Sequence, residues 1–163
     1  MVDIVKPSKR SAMMSGIRSK DTRPELLIRK ALFAHGFRYR LHVKELAGQP
    51  DMIFPKYRAV VFVHGCFWHC HGCHLFKWPQ TRTEFWHKKI SSNKVRDLKI
   101  HSELSNKGWR IAVIWECALK GKNKLEFSSL TGTLEDWLQS NEIDLEIYGL
   151  ARCPLPVIRS MLI

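Results

Sequence analysis

The stretch Pro50-Asp51-Met52-Ile53-Phe54-Pro55-Lys56-Tyr57-Arg58-Ala59-Val60-Val61-Phe62-Val63-His64 decides the architecture of this chain. Two short runs, 51–54 and 59–63, are rich in apolar, β-branched and aromatic residues and flank a tight polar link. That pattern predicts two strands joined as an antiparallel hairpin. In such a hairpin the first strand starts beside the end of the second. Asp51 is therefore expected next to Val63 and His64. Downstream, a helical region is expected over about 83–107, broken near Ser91-Ser92 and stopped by Lys107-Gly108. Trp109 to Trp115 then reads as a buried strand. Strand, helix, strand implies a right-handed crossover, with 59–63 and 109–115 parallel. Both strands then end at one edge of the sheet, which makes neighbours of Cys66 and Cys117.

Upstream, Thr22-Arg23-Pro24-Glu25 reads as a capping box with proline in the first turn. A helix is expected over about 23–35, with Leu26, Leu27, Ala31 and Leu32 turned inward and a stop near Gly36. Phe37, Tyr39, Leu41 and Val43 alternate with Arg38, Arg40 and His42, the signature of a half-buried strand. Residues 7–20 are basic and polar and read as a short helix or arm. A last helix is expected over about 131–139, capped by Thr131 or Thr133, and the stretch beyond Ile143 carries no clear pattern.

Composition bounds the function. With 163 residues the chain has the size of one domain, and 45% hydrophobic against 26% charged residues excludes wholesale disorder. The longest apolar run, Ala59 to Val63, falls far short of the ~18 residues of a membrane helix. The first residues hold no apolar secretory core, so a cytoplasmic protein is expected. Net charge is +12 and is uneven: residues 1–100 carry 20 basic and 7 acidic side chains, whereas residues 101–163 carry 7 and 8. Such a basic face points to a polyanion, most often nucleic acid.

The densest chemistry is His64-Gly65-Cys66-Phe67-Trp68-His69-Cys70-His71-Gly72-Cys73-His74. Clustered Cys and His in a chain without an export signal indicate metal rather than disulfides. Structural zinc takes four N or S ligands. Cys66, His71 and Cys73 can supply three, and the crossover brings Cys117 as a fourth; Cys70 and His74 are rivals for two of these places. A thioredoxin-type redox pair fits the His-Gly filling poorly, and the motifs of a zinc deaminase are missing. Asp51 at a strand edge, with the Val63 carbonyl beside it, is a donor set for Mg2+. Next to histidines and a basic surface, that donor set suggests phosphodiester cleavage. Phe67-Trp68 in this polar loop suggests either a local plug or a wedge that unstacks base pairs. Trp86, Lys89, Ile90 and Asn93 share one helix face, a plausible DNA face.

One group of segments carries a resemblance. These are Lys9-Arg10-Ser11 with Met14, Thr22 with Glu25, Gly48-Gln49-Pro50-Asp51, Val61 through His69, Thr81-Arg82-Thr83-Glu84-Phe85-Trp86, Gly108-Trp109-Arg110, and Val113 through Leu119. Together they resemble the very-short-patch-repair (Vsr) endonucleases, strand-specific DNA mismatch nickases of bacteria, over about residues 8–140. The resemblance implies an α/β, restriction-endonuclease-like core: a mixed central sheet flanked by helices, plus a structural zinc site. It implies a basic DNA-contacting arm at 1–20, an endonuclease domain at 21–142 and a tail at 143–163.

The same resemblance assigns roles. Asp51 and the Val63 carbonyl would bind Mg2+, His69 would be the general base or its orienter, His64 would assist at the phosphate, and Glu25 would assist electrostatically. Zn2+ would sit on Cys66, His71, Cys73 and Cys117, leaving Cys70 and His74 outside. Phe67, Trp68 and Trp86 would wedge into the duplex. Lys89 and Asn93 would help read bases, Arg82 would contact DNA, and Met14 would approach from the opposite groove. The implied reaction is a nick 5′ to the T of a T·G mismatch left by deamination of 5-methylcytosine. Implied partners are the mismatched duplex, mismatch-repair proteins and a cognate cytosine methyltransferase, in the bacterial nucleoid. Val63 stands where relatives often have Thr, which matters little if only its carbonyl binds. The rival reading is a non-catalytic, zinc-stabilised DNA-binding module. A module that only binds has no need of Asp51 beside His64 and His69.

Overall fold

A computed structural model describes residues 20–150 together with Ser8, Lys9, Ala12, Ser15 and Gly16. Met14, expected to contact DNA, lies outside the described residues. The hairpin and the crossover form as expected. Strand β1 (Met52–Phe54) pairs antiparallel with β2 (Ala59–His64), with Met52 opposite Val61 and Phe54 opposite Ala59. The link is a single 3-10 turn, Pro55–Tyr57, closed by Arg58 in the left-handed region. Strand β3 (Arg110–Trp115) runs parallel to β2, with Val63 beside Ile114 and His64 beside Trp115. A fourth strand, β4 (Asp144–Ile147), adds parallel to β3 and completes a mixed four-stranded sheet in the order β1-β2-β3-β4.

Alternation along the strands divides the core into two layers. Met52, Phe54, Val61, Ala112, Ile114 and Ile147 face helices α1 (Arg23–Ala34) and α4 (Phe127–Gln139). Those helices contribute Ile28, Leu32, Leu130, Leu134, Trp137 and Leu138. Ile53, Val60, Phe62, Ile111, Val113 and Trp115 face the other way, towards the long helix α2 (Thr83–Asn106) and the Cys/His loop. Each fully buried aliphatic side chain stabilises the fold by about 1.5–3 kcal/mol. Between β3 and α4 lies one turn of helix, α3 (Glu116–Leu119), which carries Cys117 directly off the strand end.

Several local expectations are corrected. The stretch 37–43 makes one bridge, Arg40 to Ile53, and no strand, because His42 takes a left-handed backbone. Helix α1 turns Ile28 and Leu32 inward, while Leu26 and Leu27 stay exposed. It ends as expected, with Gly36 at φ +91° and the Phe37 N–H donating to the Leu32 carbonyl at 2.9 Å. Its start is not a reciprocal capping box: Glu25 accepts from the Asp21 N–H and from the Thr22 hydroxyl. Helix α2 runs unbroken through Ser91 and Ser92, both on its exposed side. Helix α4 starts at Phe127, capped by the Glu126 carboxylate on the Ser129 N–H. Thr131 and Thr133 lie inside it, their hydroxyls donating to carbonyls one turn back.

Candidate active site

The hairpin delivers Asp51 to the end of β2. Its Oδ2 accepts a hydrogen bond from the Val63 N–H at 2.7 Å. Burial pushes the Asp51 carboxyl up to about 6; the Val63 N–H opposes the rise and nearby Glu25 adds to it. Glu25 is itself buried and held by Arg29, whose Nη2 lies 3.0 Å from Glu25 Oε2 and 3.3 Å from the Asp51 carbonyl. The same guanidinium also binds Asp21. The buried Glu25 and half-buried Asp51 carboxylates thus stand near one arginine, which bonds the first directly and the backbone of the second, a donor set that a hard cation would relieve. The Mg2+ expected on Asp51 and the Val63 carbonyl would fall at this point, where the contact between the two residues is the Val63 N–H on Asp51 Oδ2.

His64 and His69 stack face to face, with centroids 3.7 Å apart and planes 7° from parallel. Burial, and then the charge of His69, pushes the His64 pKa down, so it remains neutral at neutral pH. His69 Nδ1 lies 2.6 Å from Asp97 Oδ2, which leaves Nε2 as its free nitrogen. Asp97 was not expected from the sequence. The available signal was its spacing on α2, one turn beyond Asn93 and two beyond Ile90, on the inward face. Arg29 was missed too; it sits one turn after Glu25. His64, His69 and Asp97 also form a group close enough to hold a metal. Asp51, His64, His69 and Asp97 open into one cleft of about 790 Å³, bordered by Lys94 and Arg96.

The Cys/His loop bends back tightly beneath this site. The His71 N–H donates to the Cys66 carbonyl at 3.0 Å and the Cys73 N–H to the His71 carbonyl at 2.8 Å. Cys66, His71, Cys73 and Cys117 converge, each offering a ligand atom within 4.8 Å of the others, so these four could hold a metal. His71 Nδ1 lies 3.6 Å from Cys66 Sγ and 3.5 Å from Cys117 Sγ. Hydrogen bonding from Cys66, and then His71, brings the Cys117 thiol down to about 4, while the same coupling pushes Cys66 up. Of the two thiols, Cys117 is the one whose ionised form its neighbours favour. Cys70 and His74 lie outside this group: Cys70 turns away on a left-handed backbone, and His74 Nδ1 meets the Asn123 amide.

Phe67, Trp68 and Trp86 form a triangle of half-buried rings with centroids 5.2, 5.3 and 6.0 Å apart. Asn93 is buried beneath it, and its amide donates to the Trp68 carbonyl at 2.9 Å. Lys89 is exposed, and the Arg82 guanidinium lies over the exposed Phe85 ring at 4.7 Å. Among the described residues no helix is long and apolar enough to cross a membrane.

A family model described as DNA mismatch endonuclease Vsr matches residues 2–75. The DNA mismatch endonuclease Vsr of Escherichia coli (strain K12) is 44% identical over 138 residues, covering 85% of this chain and 88% of that protein. The Type II nicking enzyme V.XorIIP of Xanthomonas oryzae pv. oryzae is 46% identical over 126 residues, covering 77% of this chain and 93% of its own. The Type II nicking enzyme V.NmeAIP of Neisseria meningitidis is 49% identical over 122 residues, covering 75% and 87%. The protein is therefore a DNA endonuclease, which sets aside the binding-module reading. More narrowly, the chain belongs to the Vsr family of DNA mismatch endonucleases, whose work is DNA mismatch repair.

Proposed function

We propose that this endonuclease nicks one strand of duplex DNA 5′ to the T of a T·G mismatch and so starts very-short-patch repair of deaminated 5-methylcytosine. The observation that carries the reading is one juxtaposition. The Asp51, His64, His69 and Asp97 cluster lies at the end of β2, and Phe67 and Trp68, between His64 and His69 in the chain, join Trp86 in an aromatic group. A wobble pair is easier to unstack than a matched one, so an aromatic wedge can select for it. Insertion of Phe67, Trp68 and Trp86 would place the adjacent phosphate in the cleft. Asn93 would brace Trp68 and, with Lys89, approach the bases. Arg82 and the arm of residues 1–20, Met14 included, would hold the duplex.

Asp51 and the Val63 carbonyl would hold Mg2+, which when bound supplies charge stabilisation to the phosphate under attack. Asp97 holds the His69 ring so that Nε2 can take a proton from water. His64, stacked beneath and neutral, supports that ring and can donate to a phosphate oxygen. Glu25 keeps the Asp51 carboxylate in a negative field that favours a cation. Zn2+ would be held by Cys66, His71, Cys73 and Cys117 and would pin the wedge loop to the start of α3. The core is then restriction-endonuclease-like, and the catalytic domain expected at 21–142 extends through β4, the fourth strand of its sheet. The mismatched duplex is the substrate, with mismatch-repair proteins and a cytosine methyltransferase as proposed associates in the bacterial cytoplasm.

The test is a nicking assay with Mg2+ on two end-labelled duplexes that differ only in a central T·G or T·A pair, set in several methyltransferase-type contexts. A single nick beside the mismatched T, lost in Asp51→Ala, is expected. Equal cutting of both duplexes would remove the mismatch from the reading, and full activity in Asp51→Ala would remove Asp51 from the mechanism.

A further inference from the structure

We infer that Glu146 is a positioning residue of the Cys/His metal centre, fixing the His71 ring so that Nδ1 faces the thiols. The inference rests on reading Cys66, His71, Cys73 and Cys117 as a zinc site. It begins from the sheet. In the β3–β4 register, Glu146 is the partner of Val113. Partners in adjacent strands share a face of the sheet, and Val113 faces the same side as Trp115. On that side His71 lies flat on the Trp115 ring, with centroids 4.2 Å apart and planes 10° from parallel. Tyr148, two residues beyond Glu146 and so on the same face, has its ring 6.3 Å from that of His71. Glu146 therefore lies on the strand flanking His71, on the side where the imidazole sits.

Two further observations give this placement a purpose. Glu146 Oε1 is buried with no hydrogen-bond partner. An orphaned carboxylate oxygen is costly, and native proteins rarely leave one without use. Burial raises the Glu146 pKa, while the charges of His71 and His101 pull it back and Asp144 adds to the rise. His101 is already engaged by Asp144 at 3.2 Å, so it does not satisfy Glu146. His71 Nδ1 meets both buried thiols, so a metal-bound His71 must carry its proton on Nε2. Glu146 is the carboxylate on this side of the sheet with an oxygen left over; taking up the Nε2 proton's hydrogen bond, it would fix the tautomer and the ring orientation and make the imidazole a better ligand.

The experiment compares full-length wild type, Glu146→Ala, Glu146→Gln and Asp144→Asn. Zinc affinity is read by competition with a chromophoric chelator, the ligand field by the visible spectrum of the Co2+-substituted protein, and packing by thermal melting of the metal-free form. Glu146→Ala is expected to weaken zinc binding 10–100-fold and to shift the Co2+ bands. Glu146→Gln should fall in between, and Asp144→Asn should match wild type. Metal-free Glu146→Gln should melt no lower than metal-free wild type. Unchanged zinc affinity in Glu146→Ala overturns the inference. So does a loss that merely tracks a lower melting point of the metal-free form, since that marks a packing role. Wild type that binds no stoichiometric zinc overturns the metal-centre reading itself, a result separable from both.

Discussion

Asp51→Asn is expected to make the protein more stable while it stops cleavage. In the folded chain the Asp51 carboxyl titrates near 6, against 3.8 for an ordinary aspartate. The folded state therefore holds this proton more tightly than the unfolded state. For an acid whose pKa rises on folding, stability is greatest below the unfolded pKa and falls as pH climbs to the folded one. Above pH 6 the ionised, buried Asp51 costs about 3 kcal/mol. Asparagine removes the charge, and its carbonyl can still accept from the Val63 N–H, now 2.7 Å from Oδ2. At about 2–4 °C per kcal/mol for a chain of this size, the gain at pH 7.5 is up to roughly 6–12 °C in Tm. At pH 4 the gain should vanish, because wild-type Asp51 is then protonated. The assay is thermal melting of both proteins from pH 4 to 8 without added Mg2+, repeated with it. Mg2+ should raise the Tm of wild type only, through binding to the folded state. A variant no more stable than wild type at pH 7.5, or a gain that persists at pH 4, would refute the argument that this carboxylate is held at a cost for its chemistry.

Three other outcomes follow from contacts at the site. Gly48 has φ +73°, and a Cβ there would meet Ile100 Cγ2 at 2.6 Å; Gly48→Ala should lose roughly 2–4 kcal/mol from overpacking and left-handed strain. Adding Ile100→Ala should recover the overpacking part in a double-mutant cycle, and strict additivity would mean the loop does not rest on Ile100. Asp97→Asn should slow nicking by about 10²–10⁴-fold with DNA affinity unchanged, measured by single turnover and by filter binding. A rate within a factor of two would free His69 from Asp97. Asn93→Ala removes the brace at 2.9 Å from the Trp68 carbonyl, which leaves a buried acceptor unpaired at a cost of about 1–3 kcal/mol. The ratio of T·G to T·A nicking should fall further than overall affinity, and parallel losses would make Asn93 only a packing residue.

What was legible in the sequence was what local pattern encodes. The hairpin and the parallel crossover needed only short apolar runs and the links between them, and together they placed Asp51 at Val63 and Cys66 near Cys117. Alternation failed at 37–43 because it measures hydropathy and not backbone: His42 sits at φ 55° and Leu41 is 38% exposed. Strand β4 was hidden for the opposite reason. Asp144-Leu145-Glu146-Ile147 is half acidic, and it becomes a strand because β3 offers it an open edge. The α4 boundary was misplaced because a threonine reads the same whether it caps a helix or, as Thr131 and Thr133 do, bonds backward inside one.

The site divides along the same line. The clustered histidines and cysteines announced themselves, but their partners did not. Asp97 engages His69 from 28 residues away, and Arg29 reaches the Asp51 carbonyl across 22. Each belongs to a helix whose inward face was legible only in part. Asp97 extends the stripe of Trp86, Ile90 and Asn93 by one turn, and Arg29 extends Glu25 by one turn. Polar residues on a buried helical stripe have two explanations, a misread face or a function that requires them. Buried charges are costly unless paired, and here each one is paired beside the site: Arg29 to Glu25, with a further bond to the Asp51 carbonyl, and Asp97 to His69. The polar breaks in the apolar pattern of α1 and α2 thus mark where these helices leave the core and enter the active site.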